Sequence, residues 1–199
     1  MIMNLQAGPA VRPLTLSDVY DHLRLQAEGT PPTHPEDALL ESVIDAATAH
    51  MDGLEGMLGR ALISQTWVLK LKSFPCRPLN LPLPPVQSID SITYLDQNGV
   101  SQTLDSSVYV LVAGIRQASL HLAANKSWPA TADHPEAVSI TYTAGYGDTA
   151  DAVPQPVKTA MLFLIANWYE NREATTPANR YALPFAVEAL ISPYKSVKL

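Results

Sequence analysis

Residues 142–148, Tyr142-Thr143-Ala144-Gly145-Tyr146-Gly147-Asp148, form a strand end and a glycine turn, and residues 153–173 continue as VPQPVKTAMLFLIANWYENRE. Pro154 and Pro156 open a helix, where a missing amide donor costs little. Val157, Ala160, Met161, Leu164, Ile165 and Trp168 fall on one face at helical spacing, and Leu162, Phe163, Ala166 and Tyr169 make much of the other face apolar too. A helix apolar nearly all round is expected inside a core or buried between subunits.

Upstream of this junction, from Thr66 to Tyr142, the period is alternating. Trp67, Leu69 and Leu71 face one way, and Val68, Lys70 and Lys72 the other. Further strands are predicted at 89–95, 108–112, 119–122 and 138–142. Asp96-Gln97-Asn98-Gly99 supplies a hairpin turn, since Asn-Gly tolerates the positive φ that such turns need. The prolines at 75, 78, 82, 84 and 85 exclude a regular central strand and predict an extended, edge-like lead-in. Strands joined by tight turns, without alternating helices, predict an antiparallel sheet or small β-barrel.

The chain ahead of the strands is helical in pattern. Thr15 is placed to cap a first helix, with Asp18 three residues on. Pro31, Pro32 and Pro35 break that helix, and a second is predicted with Pro35 in its first turn. The second helix carries the stripe Leu40, Val43, Ile44, Ala47, Met51, Leu54 and Leu58, with Gly53, Gly56 and Gly59 in its last turns. Those glycines read either as a fraying helix end or as a bare face open to close approach by another helix or subunit. A short helix is expected at about 184–191, followed by a tail with Pro193 and Tyr194. The predicted fold is therefore α+β. A helical core (13–62 and 153–194), built on the long second and apolar third helices, carries a β-rich insertion at about 66–142, all within one domain spanning 1–199.

Composition narrows the function. At 199 residues, 47% hydrophobic and a mean hydropathy near zero, the chain is globular and too apolar for disorder. The longest apolar run, Ala160 to Ala166, is far below the roughly 20 residues that span a bilayer. No secretory signal pattern opens the sequence, so a cytoplasmic, non-membrane protein is expected. Residues 1–65 hold nine acidic side chains against Arg12, Arg24 and Arg60, and thus the whole net charge of −6. No basic patch exists to release counterions from phosphates, so avid nucleic-acid binding is not expected.

No catalytic pattern emerges. The five histidines never fall at i, i+4, and neither HExxH nor CxxC occurs. No serine has a nucleophile-elbow context, and Cys76 reads as a structural thiol. Gly145-Tyr146-Gly147-Asp148 lacks the Gly-Lys-Ser/Thr ending of a phosphate loop. Asp148 and Asp151 lack the spaced ligands of a calcium loop, so neither metal nor cofactor is expected. Two other classes stay open. One is a binding module stacking sugars or peptides on Trp128, Tyr142 and Tyr146. The other is an enzyme with an unfamiliar site near Asp148, Asp151 and His134.

A colinear set of motifs goes further. Pro13-Leu14-Thr15-Leu16 precedes the first helix. Leu58-Gly59-Arg60-Ala61-Leu62 closes the second, and Gln65-Thr66-Trp67 opens the first strand. Residues 81–89 read LPLPPVQSI, followed by Ile92-Thr93-Tyr94-Leu95-Asp96, Gly99, Tyr109, Trp128-Pro129, residues 141–147, Val153-Pro154 and Trp168-Tyr169-Glu170-Asn171-Arg172. In that order, over about residues 13–194, the chain resembles the head-tail connector (adaptor) proteins of tailed bacteriophages and gene transfer agents. The resemblance implies a structural virion protein at the head-tail junction, with no enzymatic activity. It implies a dodecameric ring under the portal protein that extends the DNA channel and meets a stopper or tail-completion protein. DNA would pass without sequence-specific binding. Gly53, Gly56, Trp168, Tyr169, Arg172, Pro193 and Tyr194 are then the candidate subunit or portal interface. An acidic chain suits a conduit through which DNA slides without sticking.

Overall fold

The computed structural model describes residues 1–171 and 185–196, and the chain divides into two units. One unit holds Met1–Ala10 and Ser64–Tyr146; the other holds Val11–Ile63 and Gly147–Leu199. The class is α+β, and the sheets are antiparallel and open, so of the two architectures expected it is the sheet and not the barrel that forms.

The β unit has eight strands: β1 (Ile2–Ala7), β2 (Gln65–Leu71), β3 (Leu79–Leu81), β4 (Val86–Leu95), β5 (Ser101–Thr103), β6 (Tyr109–Val112), β7 (Ala118–Leu122) and β8 (Val138–Ala144). Five form a sheet in the order β1-β2-β8-β4-β5, and three form a second in the order β3-β7-β6. The alternation read at 66–71 sets the packing. Leu69 pairs with Ile140, and Ile140 with Ile92, so one fully buried row crosses three strands. Each such side chain contributes about 2 kcal/mol on burial. The 96–99 hairpin forms as expected, with the Asp96 carboxylate accepting the Asn98 and Val100 amides at 2.9 and 3.0 Å. The proline-rich lead-in contains the short β3, an edge strand paired only to β7.

β1 lies outside every element predicted from the sequence. It pairs with β2 across nearly sixty residues of chain. Most of its side chains are exposed, so no alternating apolar pattern announces it.

The helical unit has α1 (Leu16–Leu23), α2 (Asp37–Met51), α3 (Gln155–Glu170) and α4 (Phe185–Ile191), and α3 packs on each of the other three. The predicted cap of α1 is a full capping box. The Asp18 amide donates to the Thr15 hydroxyl at 3.2 Å, and the Asp18 carboxylate accepts the Thr15 amide at 2.8 Å. The helix α2 ends earlier than its apolar stripe suggests. Asp52 is its C-cap, and residues 52–63 form a loop. Leu54, Leu58 and the three glycines are thus loop residues, because the Asp52 carboxylate takes the Leu62 amide at 2.7 Å and turns the chain back. No helix among the described residues is long and apolar enough to cross a membrane.

Candidate assembly interface

The apolar end of α3 carries two of the candidates that sequence reading placed, Trp168 and Tyr169. Both are half-buried, and neither is simply a free surface aromatic. The Trp168 ring meets His50 edge-on at 5.9 Å, in the last turn of α2. The Tyr169 hydroxyl donates to Glu36, at the other end of α2. Adjacent residues of one helix thus reach both ends of another. At the α1 side of the bundle, the Tyr20 hydroxyl donates to Asp37, which also accepts the His34 amide at 3.1 Å. The tyrosine bond, with the His34 amide, holds the Asp37 carboxyl below its usual range, while burial and then that carboxylate push the Tyr20 phenol up to about 12.

Gly53 and Gly56 sit in the loop after α2. Gly53 has φ +77°, with open space where a Cβ would stand. Gly56 is buried, and a Cβ there would lie 2.3 Å from the Asp52 carbonyl oxygen. The same loop receives the C-terminal turn. Arg60, almost fully buried, donates from Nε to the Tyr194 carbonyl, and the Ser196 amide donates to the Leu58 carbonyl at 2.7 Å. Pro193 stands exposed on that turn and Tyr194 is half-buried, whereas Arg172 lies outside the described residues. Two of the candidate clusters, the glycine loop and the tail, therefore meet each other, while Trp168 and Tyr169 belong to the α2–α3 packing.

Sequence reading missed Arg60, although a cation inside the apolar run Leu58–Leu62 was a visible sign of a buried, partnered group. It also missed the ion pair at the entry to α1, where Arg12 donates to both carboxylate oxygens of Asp45 at 2.7 and 2.8 Å.

Of the alternative sites, the aromatic platform does not assemble. Trp128 stacks one ring face on Phe74 at 4.8 Å, and Tyr142 is fully buried, its hydroxyl donating to the Pro82 carbonyl at 3.0 Å. A stacking platform of Trp128 with Tyr142 is therefore not present. Asp148, Asp151 and His134 are each exposed; Asp151 sits 3.9 Å from Lys158, and the His134 ring accepts the Glu136 amide. His22 and His50 lie on helices, where His50 is exposed and His22 packs on Phe163. Among the described residues no three His, Cys, Asp or Glu side chains converge to hold a metal ion.

No family model and no curated protein matches the sequence. Solved structures do. The chain is similar to one in the neck of an empty GTA particle computed with C6 symmetry, at 29% identity and a TM-score of 0.80 over 100% of this chain and 97% of that one. A chain of the virion of a native gene transfer agent (GTA) particle matches with 29% identity and a TM-score of 0.78. A third, from the neck of a native GTA particle computed with C12 symmetry, gives 27% and 0.75, both with the same coverage. The likeness therefore extends through both units of this chain.

Proposed function

We propose that this chain is a structural protein of a phage-like particle: a head-tail connector (adaptor) that forms a ring in the neck, under the portal protein. The ring extends the DNA channel towards a stopper or tail-completion protein, and no bond is made or broken. The observation that carries this reading is the end-to-end match, at 29% identity and a TM-score of 0.80, to a chain from a GTA neck. The C6 and C12 symmetries of two of those necks support a cyclic arrangement, for which we take twelve copies. The net charge of −6 adds a physical reason, since a negative wall repels DNA phosphates and lets them slide.

Within this reading the glycine loop with its docked C-terminal turn, Gly53, Gly56, Pro193 and Tyr194, forms one contact region towards a neighbouring subunit or the portal. Trp168 and Tyr169 shape the helical bundle that presents it, and Arg172 comes three residues after Tyr169 in the sequence. Quantitative mass spectrometry of particles purified from the producing cells tests the function. The expected result is this chain at a copy number equal to that of the portal protein. Its absence from finished particles would remove the virion reading.

A further inference from the structure

The β unit exposes an apolar hairpin. β6 is an edge strand of the three-stranded sheet, and its register with β7 places Leu111 opposite the buried Leu120. Val110 and Val112, opposite His121 and Ser119, therefore share the other face, and both are about half exposed. At the tip Ile115 is 71% exposed beside Arg116, the sole charge between Ser106 and Gln117. Edge strands left in water are usually blunted by charge or proline, and an apolar tip of this kind calls for a cover.

The helical unit carries a surface of matching chemistry. Val11, Leu14, Leu16 and Ala150 line an open groove of about 440 Å³ at the entry to α1, with Glu41 of α2 on its rim. Arg12 also lies there, its guanidinium hydrogen-bonded to both carboxylate oxygens of Asp45 and ion-paired with Glu41 at 3.6 Å. Two carboxylates thus share one cation, which leaves an excess of one negative charge beside the groove.

We propose that the hairpin tip of one copy seats in this groove of the next copy in the ring, Ile115 against Val11 and Leu16, and Arg116 on Glu41. This rests on the ring reading above. Two different patches of one chain then meet head to tail, the kind of contact that closes a ring. Charge selects the occupant: the groove attracts the lone cation of the hairpin, whereas DNA would meet its carboxylates with repulsion.

Charge reversal in particle-producing cells tests the contact, with copy number read by mass spectrometry and ring closure by cross-linking Ile115→Cys to Leu16→Cys. Arg116→Glu and Glu41→Arg are each expected to cut incorporation by about tenfold, and the double variant to restore it to within about twofold. The cysteine pair is expected to give an oxidation-dependent ladder of multimers in purified particles. Normal incorporation of Arg116→Glu, or no ladder from cysteine variants incorporated at full copy number, would overturn this contact while leaving the ring intact. Absence of the wild-type chain from particles would overturn both.

Discussion

At the scale of single residues, Gly53 and Gly56 are alike in sequence and different in cause. Gly53 needs its positive φ but has empty space around it, so Gly53→Ala should cost about 1 kcal/mol of backbone strain. Gly56 has the Asp52 carbonyl where a Cβ would go, and Gly56→Ala should cost about 3 kcal/mol as the loop is forced open. Urea unfolding of the two variants checks the order, and equal losses would contradict the geometry. The threefold spacing that placed these glycines on a helix was coincidental, because the chain leaves the helix at Asp52. What decides the exit is a side-chain bond to Leu62, ten residues away, which no local pattern encodes.

At the scale of elements, α3 was legible from its prolines and its apolar circumference, and it packs on α1, α2 and α4. The partners of its last turn were not legible, since His50 and Glu36 are more than a hundred residues distant in sequence. Replacing both Trp168 and Tyr169 by alanine removes a ring packed on one end of α2 and a hydrogen bond at the other. The double variant should lose roughly 3 to 4 kcal/mol and several degrees of Tm. Thermal unfolding followed by circular dichroism checks this; an unchanged Tm would move both residues from the bundle to a purely intermolecular role. The strand β1 is the opposite case, an element with no sequence signature because only its backbone pairing to β2 makes it a strand.

At the scale of the whole molecule, carboxylates in both units are held ionised by partners. Asp37 is lowered by the Tyr20 hydroxyl, Asp96 by the Gln102 amide, Asp133 by Lys72 and Glu136 by Lys70. A carboxylate whose native pKa is depressed binds fewer protons than in the unfolded chain as acid is added, so its stabilisation is lost as pH falls. Stability should be flat from about pH 5 to 8 and decline below about pH 4, and denaturant midpoints across that range measure it. A midpoint that rises on acidification would reverse the assigned sign. The acid-rich first third of the chain also supplies the groove rim on which the proposed ring contact depends.

The sequence by itself determined the α+β class, the capping box of α1, the 96–99 hairpin and the alternating face that buries Leu69 and Ile140. Each rests on spacing within a few residues, where period and turn chemistry act directly. Tertiary structure alone decided the end of α2, the pairing of β1, the docking of the C-terminal turn on Arg60 and the exposure of the 109–122 hairpin. These depend on backbone groups and side chains brought together from distant parts of the chain. Their energy exists only once the loops between them have closed.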